Sequence, residues 1–179
     1  IPGSNLVKSL ISSQNQAFYR LKFHYDNFFA KTGRFTYGLL VEAILSDQQL
    51  QNNFTSSVLS APVFEPVSEM KTIFLESYRA YNYLGAGLKV IYSPLRNVDF
   101  RVESYLFQPY QRIVNQGINE IPDLGVSFPP MSFVFSGRAV LHTPLGPLSA
   151  ALNYYDRENN KFMFAINFGY LLFNRSNFD

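Results

Sequence analysis

The feature that most restricts this chain is a two-residue alternation that persists for longer than a globular strand needs. Over residues 162–173 one parity reads Phe162, Phe164, Ile166, Phe168, Tyr170, Leu172, and every member is apolar or aromatic. The other parity reads Met163, Ala165, Asn167, Gly169, Leu171, Phe173. A period of two belongs to the β-strand, whose side chains point to opposite faces in turn. Strands of globular proteins average about 5–6 residues, whereas a tilted strand crossing a bilayer takes about 9–11. A run of this length with one wholly apolar face therefore predicts either an unusually long core strand or a membrane strand.

The pattern recurs upstream, over 17–28, 34–46, 83–92, 98–107, 132–142 and 147–155, with a weaker instance at 4–13. The parities opposite the apolar ones carry charge, including Lys22, Asp26, Glu42 and Lys89. On the later strands the same side holds Asp99, Arg101, Glu103 and Arg138. In a soluble sandwich the apolar face meets the core and the charged face meets water. In a membrane barrel the apolar face meets lipid and the charged face lines the lumen. Alternation alone does not separate these, but the connections do.

Links near residues 31–33, 93–97 and 143–146 are short, whereas 47–71 and 108–130 are long and rich in Pro, Gly, Asn and Ser. Short turns at one end and long loops at the other are the rule of outer-membrane barrels, with the long loops extracellular. The 156–160 link is short where that rule asks for a long one. The expectation is an all-β, antiparallel transmembrane β-barrel occupying residues 1–179 as one unit, with long extracellular loops near 47–71 and 108–130. On this reading Phe162, Phe164, Ile166, Phe168 and Tyr170 face lipid, and Asp99, Arg101, Glu103 and Arg138 face the lumen.

Composition excludes several classes. The 179 residues carry a formal net charge of only +2, so the chain is no strongly basic nucleic-acid binder. Charged residues are 16% and hydrophobic ones 47%, which argues against disorder. Cysteine is absent, which removes disulfides and thiolate metal sites. No apolar run is long enough for a transmembrane helix. An Ile at position 1 reads as a processed or excised chain.

Motifs for chemistry are sparse. The two histidines, His24 and His142, lie far apart and read as polar side chains of the charged face. Gly85-Ala86-Gly87 is half of a dinucleotide fingerprint, but it sits inside a strand and opens no helix. In-strand glycines instead mark a bend or a close approach of the backbone. No GxSxG elbow is present. Glu42, Asp99 and Glu103 are candidate acids, with Arg101 between the last two on one face, which favours salt bridges. The sequence thus offers no catalytic, cofactor-binding or metal-binding residue, and whether the parent protein is an enzyme stays open.

The segment Asn167-Phe168-Gly169-Tyr170-Leu171-Leu172-Phe173 resembles the C-terminal signal of outer-membrane barrels, carried here by Asn167, Gly169 and Leu172. Its logic is strand addition, in which an exposed edge is recognised through its backbone. Residues Asn174 to Asp179 follow the aromatic end at which such signals usually stop. The stretches FLESYRAYNYLGAGLKVIYSP, VDFRVESYLFQPYQ and LHTPLGPLSAALNYYDRENNKFMFAINFGYLLFN resemble the C-terminal barrel of Gram-negative patatin-like phospholipases, a barrel of the bacterial surface antigen type. The resemblance runs over roughly residues 17–174. It implies the C-terminal half of a 16-stranded barrel that anchors a lipid-hydrolysing domain to the bacterial outer membrane. It also implies outer-membrane lipids and the barrel-assembly machinery as partners, with a second copy of the chain as a further candidate. The family's serine elbow and its catalytic Asp motif are not in this chain, so no catalytic residue carries over. Two alternatives stand beside it: a translocation or assembly barrel of the same superfamily, or a free-standing small barrel. A soluble β-sandwich is the third.

Overall fold

The structure is a computed structural model and describes residues 17–117, 121–158 and 161–169. Among these residues nine strands form in chain order: β1 (Arg20–Thr32), β2 (Phe35–Ser46), β3 (Tyr83–Leu95), β4 (Val98–Pro109), β5 (Gln111–Gln116), β6 (Ile121–Ser127), β7 (Ser132–Thr143), β8 (Gly146–Tyr155) and β9 (Phe162–Phe168). Seven of them make one antiparallel sheet in the order β1-β2-β3-β4-β7-β8-β9, and β5 and β6 pair as a separate ribbon. The all-β, antiparallel expectation holds. Among the described residues the sheet is open, with β1 and β9 as its edges.

The six alternating segments from 17–28 to 147–155 become β1, β2, β3, β4, β7 and β8, each close to its expected bounds. At about 3.3 Å per residue, the 13 residues of β3 span roughly 40 Å. Short turns join β1 to β2, β3 to β4 and β7 to β8, all at one end of the sheet. Gly33, at φ +61°, supplies the left-handed residue that the first turn requires.

Four expectations need adjustment. The 108–130 stretch is not wholly loop: β5 and β6 pair from Gln111↔Ser127 to Gln116↔Ile121, with a bulge between Gln111 and Ile113. Its prolines and glycines read as breakers, but in a two-stranded ribbon each strand keeps a free edge where a missing N–H is tolerated. The last strand is described to Phe168 and bends at Gly169, φ +93°. Tyr170 and Leu172 lie outside the described residues, as does the weak segment at 4–13. Closure into a barrel, whether of sixteen strands or of eight, is not a feature of the described residues.

The fourth adjustment positions the site. The 47–71 stretch is, as expected, part of a long connection, between β2 and β3. Residues 47–82 of that connection fold as a strap against one face of the sheet. The strap holds a short helix, α1 (Phe54–Ser60), whose N-cap Asn53 accepts from the Ser56 N–H at 2.7 Å. Two 3₁₀ turns follow, Ser68–Thr72 and Glu76–Tyr78. Its limbs are tied by the Phe64 N–H donating to the Tyr78 carbonyl (2.9 Å) and by a bridge between Val63 and Arg79.

Candidate functional site

The strap's apolar residues supply half of the hydrophobic core. Phe64, Val67, Met70 and Tyr78 are buried against Tyr83, Tyr105, Phe107, Val134 and Tyr155 of the sheet. Phe64 stacks on Phe107 with ring centroids 5.6 Å apart, and it meets Tyr83 and Tyr105 edge-on. Gly85 and Gly87 explain how those rings fit. A Cβ at Gly85 would lie 2.2 Å from the Phe64 ring, and one at Gly87 would lie 2.0 Å from the Tyr105 ring. The Gly-Ala-Gly stretch is therefore a seat for two aromatic rings, in keeping with a close approach to the backbone.

Around this core much of the polar parity is joined in ion pairs and hydrogen bonds, although both amide atoms of the buried Asn153 lack a partner among the described residues. Glu69, on the first 3₁₀ turn, is 5% exposed and accepts two bonds from the Arg138 guanidinium of β7, at 2.6 and 2.7 Å. The same guanidinium donates to Ser68 Oγ at 2.8 Å, and Asn167 Nδ2 of β9 donates to Glu69 at 3.2 Å. Tyr78 donates from its hydroxyl to the Phe133 carbonyl (2.9 Å) and the Asp156 carboxylate (3.1 Å). Burial, together with the negative charge of Asp156, pushes the Tyr78 phenol far above its ordinary value, so it remains a donor. Tyr83 bridges the Glu42 carboxylate (2.5 Å) and the Val63 carbonyl (3.1 Å). Strap and sheet are thus joined at Glu69, Tyr78 and Val63.

The candidate acids and histidines are separated into unlike pairs. Glu42 takes Lys22 Nζ at 3.1 Å and His24 Nδ1 at 2.7 Å. Lys89 meets both oxygens of Asp26 at 2.8 Å. Asp99 accepts from Ser93 Oγ at 2.6 Å and lies 2.8 Å from His142 Nε2, with Arg101 at 3.7 Å. Glu103 takes the Tyr105 hydroxyl at 2.9 Å. Ser93, Asp99 and His142 are the residue types of a hydrolase triad in the wrong order. The aspartate stands between serine and histidine, so no imidazole reaches the serine oxygen to take its proton. Among the described residues no group of three or more His, Asp or Glu is arranged to hold a metal ion.

The apolar parity is bare. Phe162, Phe164, Ile166 and Phe168 are 65–68% exposed. Leu84, Leu88, Leu106 and Leu152, on neighbouring strands, are exposed as well. Asp99, Arg101, Glu103 and Arg138 lie on the opposite, strap-covered side of the sheet from this surface. Asn167, singled out for its place in the terminal signal, turns to the strap, and the Gly169 N–H donates to the Pro147 carbonyl at 3.0 Å. Sequence reasoning missed Glu69, Phe64 and Tyr78. The signal for them was there: between Val58 and Tyr83 the chain is too aromatic and apolar for a solvated loop.

No family model, no curated protein and no solved structure matches this chain.

Proposed function

We propose that this chain is the outer-membrane β-barrel portion of a patatin-like phospholipase, anchoring a lipid-hydrolysing domain to the membrane. The observation that carries the membrane reading is the bare apolar face. A soluble chain rarely leaves a contiguous apolar patch beyond a few hundred Å² exposed to water, and here the patch spans most of a seven-stranded sheet. Hydrocarbon would cover it, and the strap-covered face would look into the lumen. The strands are long enough to span, and their short turns share one end.

The anchor reading is favoured over an open translocation channel by the strap, whose aromatic residues fill the lumen side rather than leave it wet. Catalysis would belong to the partner domain, since the pairs among the described residues activate no nucleophile. The patatin link itself rests on the resemblance of the closing segments. The experiment is fractionation of cells expressing the natural gene. The chain should be recovered with membranes and released only by detergent; recovery in the aqueous phase would refute membrane location. The coding sequence upstream of Ile1 separates the branches. A patatin domain with its serine elbow supports the anchor, and tandem periplasmic transport domains support a translocator.

A further inference from the structure

The two ends of the sheet differ in charge. The short-turn segments 31–35, 95–98 and 143–147 contain Lys31, Arg34 and Arg96 and no acid. At the opposite end, the described residues of segments 47–82, 110–131 and 156–161 carry acids over bases by seven to five. Lys31, Arg34 and Arg96 are exposed, and none has a side-chain hydrogen bond or ion pair among the described residues. The nearest acids along the chain are occupied: Asp26 by Lys89, Glu42 by Lys22, His24 and Tyr83, and Asp99 by Ser93, His142 and Arg101. The Ser93 N–H donates to the Arg34 carbonyl at 2.9 Å, so the first two turns are neighbours and their cations form one rim.

An apolar groove lies beside this rim on the bare face. Phe100, Ala139, Ala150 and Ile166 stand opposite one another across β4, β7, β8 and β9. Two alanines between two large side chains leave a trough of about 290 Å³, bordered by Leu141 and Leu148. Val98, two residues from Arg96, lines it too.

We propose that the short-turn rim is a binding surface for anionic glycerophospholipid, with Lys31, Arg34 and Arg96 holding the phosphates. The acyl chain of the lipid at Arg96 lies in the Phe100–Ile166 trough. Charge complementarity selects this occupant: cations without a partner among the described residues, beside an apolar groove, match a phosphate attached to hydrocarbon, and a basic residue near an anionic bilayer surface gains about 1 kcal/mol. The inference rests on the membrane reading above.

The chain contains no tryptophan, so a Leu145→Trp substitution in the exposed β7–β8 turn gives a single reporter. The full chain is inserted into phosphatidylcholine vesicles holding a minority of phosphatidylglycerol. One lipid or the other is brominated near the headgroup end of its acyl chains. Brominated phosphatidylglycerol should quench the reporter about fivefold more, per molecule, than brominated phosphatidylcholine. The ratio should fall to unity in the K31Q/R34Q/R96Q variant, and in the parent at about 1 M salt, where screening removes the attraction. Equal quenching by the two lipids in an inserted protein overturns the rim and leaves the membrane reading standing. A preference that survives both the substitutions and high salt overturns the assignment to these cations. If the triple variant fails to insert, the salt titration of the parent decides. A protein that stays in water, quenched by neither lipid, overturns the membrane reading and this inference with it.

Discussion

The two faces of the sheet are made by alternate residues of the same strands, yet they solve opposite problems. On β4, Tyr105 and Phe107 are fully buried, while Leu106 between them is 47% exposed. One face acquires a protein interior because the strap brings Phe64, Val67, Met70 and Tyr78 onto it. The other acquires nothing from the described chain. An aromatic ring is therefore no marker of a core by itself. What decides is whether another part of the chain is delivered to that side, and here the strap is delivered to the side that also carries the charges.

That contrast can be broken from either face. Removing the ring at the centre of the core, Phe64→Ala, should destabilise by about 3–5 kcal/mol, because Gly85 and Gly87 leave no side chain able to fill the space. Denaturant unfolding followed by circular dichroism reads this directly. Glu69→Ala should cost somewhat less, up to about 3 kcal/mol, by leaving the half-buried Arg138 guanidinium with Ser68 in place of its carboxylate. Pairing it with Arg138→Leu should recover much of that loss, and a double-mutant cycle that showed simple additivity would discount the Glu69–Arg138 coupling between strap and sheet. On the bare face, Phe164→Arg should cost about 2–4 kcal/mol in a bilayer, as measured by refolding into vesicles. A neutral result there would mean that the face does not meet hydrocarbon.

The smallest expected effect concerns pH. Burial raises Glu65 above its ordinary carboxylate value, against the pull of Arg79 and Lys71. A raised folded value means that the folded protein favours the protonated acid. This contribution is fully present below about pH 4.3, the unfolded glutamate value, and is lost as pH rises through the folded one. Glu65→Gln should flatten that part of the stability profile and leave the variant at least as stable as the parent at neutral pH. The readout is the denaturant midpoint across pH. An unchanged profile would show that Glu65 is better solvated than its position in the strap implies.

The long strands were legible because period two and turn chemistry are local. Phe162, Phe164, Ile166 and Phe168 declare a strand, whatever lies around them. The opposition of Arg101 and Glu103 to Val102 was legible for the same reason. The strap was not, since its fate depends on contacts such as Glu69 with Arg138, 69 residues apart. Pro62 and Pro66 and the polar residues near α1 gave it the look of a solvated loop. The β5–β6 ribbon hid behind Pro122 and Gly125 in a similar way.

Local stereochemistry in the sequence therefore determined the strands, their length and which side chains share a face, because adjacent side chains on an extended backbone must point oppositely. The tertiary structure alone decided which face is filled. Burial is a relation between segments distant in the chain, and no periodicity within a strand records that Phe64 will come to rest over Gly85.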